Sequence, residues 1–214
     1  MDDTPQWKCV LFDLAGVLIE EGHIIKNVLT PMLAHTGYEI DYTTVKSVYN
    51  RLKDGRITEY EFWKSLNISD YEKIRSLFIE TLKGSYDETF DELIPCLKDK
   101  KTAVVTDTPL MFTKDILDDI SEMNFDKIEV VEEVKISKTS PKLYIKVAEE
   151  MGVDPGLCMM IDDRIENLKA AKEAGMTTVL IVREPRFFNE DVKGVDYLAP
   201  NLGSLKELLC TSKK

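Results

Sequence analysis

Short apolar runs, each ending in a polar or acidic residue, recur along the chain. Cys9-Val10-Leu11-Phe12 leads into Asp13, with Gly16 close behind. Thr102-Ala103-Val104-Val105 leads into Thr106-Asp107, and Cys158-Met159-Met160-Ile161 leads into Asp162-Asp163. Thr177 to Val182 is another such run. Runs this short, rich in β-formers and closed by turn residues, predict buried strands. Helical periodicity fills the intervals: Thr113 to Met123, Pro141 to Met151, and Ile165 to Ala174 with Gly175 as a stop signal. Strands alternating with helices predict a doubly wound, Rossmann-like α/β core, a parallel sheet with helices on both faces. In that architecture the carboxyl ends of the strands form the ligand crevice. Asp13, Thr106, Asp162 and Asp163 all fall at that edge.

Residues 20–86 follow another pattern. Strand runs vanish and helical patterns take over, at Ile24 to His35, Thr43 to Lys53, Thr58 to Leu66 and Tyr71 to Leu82. Gly22, Gly37, Gly55 and Gly84 punctuate them. An all-helical insert directly after the first strand reads as a small cap over the crevice. The expected organisation is a core of residues 1–19 and 87–214 with a cap of residues 20–86. The final Thr211 to Lys214 reads as a frayed tail.

Composition narrows the partners. The formal net charge of -11 repels phosphate backbones and anionic membrane surfaces, which argues against nucleic acid and membrane. A small phosphorylated substrate stays open, because a local cation can reverse the field inside a cleft. No apolar run approaches the roughly 20 residues of a membrane helix. The acidic start, Met1-Asp2-Asp3, lacks the basic region of a signal peptide. The four cysteines, Cys9, Cys96, Cys158 and Cys210, form no CxxC pair, so neither a disulfide framework nor a zinc site is expected. A reducing cytoplasm fits these features. Oligomeric state is not legible.

The polar residues at the strand ends carry the candidate chemistry. Taken singly, each has a plain structural use: Asp13 in a turn, Thr106 as a helix cap, Lys138 on the surface. Asp162-Asp163 is the stronger signal. Two adjacent carboxylates at the end of so apolar a strand repel each other, which is costly without a cation. Magnesium suits a few carboxylates plus water and phosphate oxygens.

As an ordered set, these segments resemble the four motifs of the haloacid dehalogenase-like superfamily. The first, a strand followed by Asp-x-Asp-Gly, is matched by Phe12-Asp13-Leu14-Ala15-Gly16-Val17-Leu18. Val104-Val105-Thr106 matches the second, a strand and then Ser or Thr. Lys138-Thr139-Ser140-Pro141-Lys142-Leu143-Tyr144 matches the third loosely, and Ile161-Asp162-Asp163-Arg164-Ile165-Glu166-Asn167 matches the fourth well. The resemblance spans residues 9 to about 182. Gly55-Arg56-Ile57-Thr58 and Glu61-Phe62-Trp63 look like the cap of members near the sugar-1-phosphate phosphatases and the phosphatase domain of soluble epoxide hydrolase. Phe62 and Trp63 also suit ordinary cap core.

The resemblance implies a magnesium-dependent phosphatase acting on a small phosphorylated metabolite through an aspartyl-phosphate. It implies Asp13 as nucleophile. Asp13, the backbone carbonyl of Ala15 and Asp163 hold the metal, with Asp162 in support. Thr106 and Lys138 stabilise the transferring phosphoryl group, and Asp107 lies beside them at the substrate. One position departs from the pattern. Family phosphatases usually carry a second Asp two residues after the nucleophile, as general acid; here that residue is Ala15. Three readings follow. The substrate has a good leaving group, such as an anomeric or acyl oxygen. Alternatively the chemistry is of the phosphonatase or dehalogenase type. Phosphonoacetaldehyde hydrolases have Ala at this place and need a cap lysine, for which Lys26, Lys46 and Lys53 are available; haloacid dehalogenases work without the metal that Asp162-Asp163 suggests. Third, catalysis has been lost and the protein binds a ligand or partner.

Overall fold

The computed structural model describes residues 7–118, 120, 122–183, 192 and 194–210. The expected frayed tail and the acidic start both lie outside them. The elements run in the order β1 (Cys9–Phe12), a π-helical stretch (Ile24–Leu29) continuing into α1 (Thr30–His35), α2 (Tyr42–Lys53), α3 (Glu59–Ser65), α4 (Tyr71–Lys83) and α5 (Ile94–Leu97). Then follow β2 (Lys101–Thr106), α6 (Leu110–Leu117), β3 (Lys127–Val130), α7 (Val131–Val134), α8 (Pro141–Glu150), β4 (Cys158–Asp162) and α9 (Ile165–Glu173). The chain closes with β5 (Thr177–Ile181), β6 (Tyr197–Ala199) and α10 (Lys206–Leu209).

The six strands form one sheet in the order β3-β2-β1-β4-β5-β6, and every pairing is parallel. β1 lies in the middle, with Phe12 opposite Val104 on one side and Ile161 on the other. Asp13, Thr106-Asp107 and Asp162-Asp163 therefore emerge side by side at one edge.

Both faces of the sheet are covered, so β1 and most of β2, β4 and β5 are apolar while their side chains alternate between two cores. Cys9, Leu11, Met160 and Leu180 pack with Leu143 and Val147 of α8 and Leu168 and Ala171 of α9. Val10, Phe12, Ile161 and Val179 point the other way, toward Phe112 and Ile116 of α6. The helical segment extends that second core through Leu29, Leu52, Phe62, Trp63 and Phe78. Phe62 and Trp63 are both fully buried, as core residues of the insert, and each makes an edge contact with Phe112. The chain leaves the core at Ile19 and returns at Tyr86, and these two residues bridge each other.

Local signals set the helix starts. Asp41 accepts the Thr44 N–H and caps α2, and Thr58 with Glu61 forms a reciprocal capping box on α3. Three expectations are corrected. The helix anticipated at Thr113 to Met123 starts earlier and stops at Leu117. Pro109 supplies its N-terminal boundary, and Asp118 turns extended. The short strands β3 and β6 carry too few alternating residues to stand out in the sequence. Finally, Cys96 and Cys210, 114 residues apart, are joined in a disulfide. Sequence spacing held no hint of this, because the pairing depends on α5 and α10 meeting in space. The cysteine argument for a reducing compartment falls with it. Cys9 and Cys158 remain thiols, buried and opposite each other on β1 and β4. No helix among the described residues is long and apolar enough to cross a membrane.

Candidate active site

Lys138, on the loop before α8, reaches in to the sheet edge. Its Nζ lies 2.7 Å from Asp13 Oδ2 and 2.7 Å from Asp162 Oδ2. All three side chains are buried. The Tyr144 hydroxyl holds the loop by donating to the Lys138 carbonyl at 2.9 Å. Burial alone would lower the Lys138 pKa, but Asp13 and Asp162 outweigh it and hold the ammonium above the usual lysine range.

Asp13 has its backbone N–H bonded to the Ile161 carbonyl at 2.9 Å, and its Oδ1 accepts the Leu14 N–H at 2.7 Å. Burial pushes its carboxyl well above the usual carboxylate range. Lys138 opposes that shift, while Asp162 and Asp163 add to it.

The paired aspartates divide their tasks. Asp162 is fully buried and saturated. Its Oδ1 accepts the Arg164 N–H at 2.8 Å, Asn167 Nδ2 lies 3.1 Å from both oxygens, and Lys138 takes Oδ2. Asp163 Oδ1 is buried with no hydrogen-bond partner. Burial first, then Asp162, pushes the Asp163 carboxyl up to about 6. Two glycines enclose it. A Cβ on Gly22 would sit 2.7 Å from Asp163 Oδ2, and one on Gly16 would collide with the same carboxylate. Gly16 also has φ +86°, a left-handed conformation that disfavours any side chain. One oxygen from each of Asp13, Asp162 and Asp163 lies within 4.8 Å of the others, the one such acidic cluster among the described residues. An orphaned carboxylate oxygen among buried like charges is what a small hard cation satisfies. The residues present thus fit magnesium. The Ala15 carbonyl, on the same loop, accepts no hydrogen bond among the described residues.

Thr106 is fully buried at the end of β2, and its Oγ1 accepts the Thr108 N–H at 3.1 Å. Asp107 is drawn toward the helical insert instead, with Oδ2 2.9 Å from Lys53 Nζ. Its burial favours protonation, but Lys138 and Lys53 outweigh that and depress its pKa. The structure thus brings Asp13, Lys138, Asp162 and Asp163 together, sets Thr106 on the adjacent strand, and commits Asp107 to an ion pair.

Sequence reading missed three supports. Asn167 holds Asp162 from one turn into α9; its offset of five from Asp162 was the available signal. Lys53, on sequence grounds one of three available amines, pairs with Asp107 instead. Arg183 ties the Gly16 loop to the base of the insert: its Nη2 donates to the Val17 carbonyl at 2.7 Å and to Asp87 Oδ2 at 2.9 Å. Nothing local to Arg183 announces that role. Above Asp13 opens a cleft of about 280 Å³, walled by the π-helical stretch, α2 and Arg164.

This arrangement has counterparts. A family model described as haloacid dehalogenase-like hydrolase matches residues 7–175. The chain belongs to the haloacid dehalogenase-like hydrolase family. Its similarity to named members is partial in sequence. Hexitol phosphatase B of Escherichia coli (strain K12) is 32% identical over 90 residues, which are 40% of this chain and 37% of that protein. The matched stretch is thus little more than a third of that relative's length. N-acetylmuramic acid 6-phosphate phosphatase of Pseudomonas aeruginosa is 23% identical over 185 residues, 81% of each chain. Among solved structures, a haloacid dehalogenase-family enzyme from Bacteroides thetaiotaomicron, in complex with magnesium and inorganic phosphate, aligns with a TM-score of 0.65. It is 19% identical, with 86% of this chain and all of that one covered. That likeness carries the fold. The family's usual second Asp is absent here, since Ala15 stands two residues after Asp13.

Proposed function

We propose that this family member is a magnesium-dependent phosphatase for a small phosphorylated metabolite, with the helical segment 20–86 as a cap over the site. The observation that carries the reading is the cluster of three carboxylates, Asp13 and Asp162 buried and Asp163 half-buried, in which Asp163 Oδ1 makes no hydrogen bond and has only Arg164 at 3.9 Å. Asp13, the Ala15 carbonyl and Asp163 hold the metal in this reading, with Asp162 supporting through Lys138. Magnesium, when bound, would supply positive charge that keeps Asp13 ionised and offsets the charge of a phosphoryl oxygen.

Asp13 Oδ attacks phosphorus in line. The P–O bond to the leaving group breaks as the bond to Asp13 forms, giving an aspartyl-phosphate and an alkoxide, phenoxide or carboxylate. Water then attacks that phosphorus, releases inorganic phosphate and returns the Asp13 carboxylate. Lys138 holds Asp13 in place and, with the Thr106 hydroxyl, donates to the transferring phosphoryl oxygens. Ala15 carries no proton to give, so the departing oxygen leaves unprotonated. A missing general acid costs about 10²–10⁴ in rate for a poor leaving group and little for a good one. Aryl, acyl and anomeric phosphates are therefore the substrates this site suits.

Turnover of an aryl phosphate with and without magnesium tests the reading. Release that needs both the metal and an intact Asp13 is the expected result. No turnover under any metal condition moves the protein to a binding role on the same scaffold.

A further inference from the structure

The cleft above Asp13 holds charge that hydrolysis does not use. The chain is strongly acidic overall, with 39 carboxylate residues against 28 basic ones. Yet the lining of this cleft includes Lys26, Lys46, Lys53 and Arg164 against only Asp13 and Asp107. Both acids are already matched, Asp13 by Lys138 at 2.7 Å and Asp107 by Lys53 at 2.9 Å. Arg164 lies 3.9 Å from Asp163. Lys26 and Lys46 form no ion pair among the described residues; the Lys46 ammonium lies over the Tyr42 ring, 5.4 Å from its centroid.

The fold keeps both amines facing the cleft. Along α2, Tyr42, Lys46, Tyr49 and Lys53 recur at intervals of three and four and so share one stripe. Val45, Val48 and Leu52 of the same helix are buried in the cap core, which fixes its rotation. Across the cleft, Ile24, Ile25 and Leu29 anchor the π-helical stretch and leave Lys26 exposed. Two ammonium groups without a carboxylate partner on one small cleft give it a positive wall that favours an anion. In the proposed reaction the transferred phosphate is held at Asp13 by Lys138 and Thr106, so Lys26 and Lys46 are not needed for that step. A volume of about 280 Å³ lies at the low end of ligand sites, which suits a compact molecule.

Resting on the phosphatase reading above, we propose that the substrate carries a second anionic group at the end remote from its transferred phosphate, a carboxylate or a second phosphate, and that Lys26 and Lys46 bind it. The cap then selects by charge at that end, while the core supplies the chemistry.

The test uses non-hydrolysable probes on the magnesium-loaded full chain, by titration calorimetry at low salt. The probes are 4-carboxybenzylphosphonate, 1,4-xylylenebisphosphonate and the neutral 4-carbamoylbenzylphosphonate. At least one charged probe is expected to bind about tenfold tighter than the amide, and which one does so separates carboxylate from phosphate. In the Lys26→Met/Lys46→Met variant that ratio should fall toward one. In the charge-matched control Lys64→Met/Lys73→Met, on exposed cap positions outside the cleft, it should persist. Equal affinities in the natural protein, no measurable binding of either charged probe, or a ratio that survives loss of both lysines overturns the proposal. Turnover is read separately with 4-(carboxymethyl)phenyl phosphate and its amide. A charged-probe preference in binding with no turnover of either ester leaves the anion site standing and removes the phosphatase reading.

Discussion

At the sheet edge, Asp13, Lys138 and Asp162 are buried and locked together by two contacts of 2.7 Å. On the helical insert, along the wall of the cleft, Lys26 and Lys46 are exposed and matched by no carboxylate among the described residues. The first group sits where like and unlike charges must be balanced within the protein, because water cannot screen them. The second sits where water serves until a ligand arrives. A charge of the first kind is part of the fold, so changing it alters stability as well as chemistry. A charge of the second kind can be changed at little cost to the fold, and it is where selectivity can be varied.

The sharpest way to break that contrast is Asp13→Asn. The amide keeps the shape but loses the proposed nucleophile and its charge beside Lys138, so turnover should fall by at least about a thousandfold and the melting temperature should fall as well, with the fold retained. Comparable activity in the variant, measured on an aryl phosphate, would remove the covalent mechanism.

Lys138→Met comes next. It removes the cation between two buried carboxylates, and breaking a buried pair in this way costs about 3–5 kcal/mol. Denaturant unfolding should show that loss, whereas Lys46→Met should stay within about 0.5 kcal/mol of the natural protein. Similar costs for the two would erase the distinction between floor and wall.

Leaving-group dependence is the third measure. Aryl phosphates should be hydrolysed about 10²-fold or more faster than alkyl phosphates such as a sugar-6-phosphate, because Ala15 provides no acid. Ala15→Asp should narrow the gap by raising alkyl rates selectively. Equal rates in the natural sequence would mean that a cap residue already donates the proton, and the division between core chemistry and cap selection would fail.

The smallest expected effect is on stability against pH. The folded pKa of Asp163 is raised, to about 6, by burial and by Asp162. The folded state therefore holds this proton more tightly than the unfolded chain. The associated stability is fully present below the ordinary carboxylate range and is lost as pH rises through about 6. Magnesium should reverse the loss, so its addition should raise the melting temperature by more at pH 7.5 than at pH 5. At a hundredfold excess over its dissociation constant a ligand contributes about 2.7 kcal/mol, a shift that thermal melts can resolve. An equal magnesium effect at both pH values would place the ion away from Asp163.

Much of this was legible in the chain. The runs before Asp13, Thr106 and Asp162 are short and almost wholly apolar because both faces of a parallel sheet are covered, and their length and closing turn residues mark them as strands. The adjacency of Asp162 and Asp163 was visible too, but not their division of labour. Which one is saturated depends on Asn167, Arg164 and Lys138 arriving from different segments. The short strands β3 and β6 were missed for want of a pattern, and the Cys96–Cys210 pairing for want of any local signal.

The sequence by itself determined the four central strands and the main helices between them, the helical insert after β1 and the family, because each rests on periodicities and motifs spanning a few residues. Tertiary structure alone decided that Lys138 would bridge Asp13 and Asp162, that Gly16 and Gly22 would close around Asp163, and that Lys26 and Lys46 would face one cleft without partners. Those outcomes depend on how side chains far apart in the chain share space and charge. Burial and Coulomb interactions at a few ångströms set that sharing, and no spacing along the sequence encodes it.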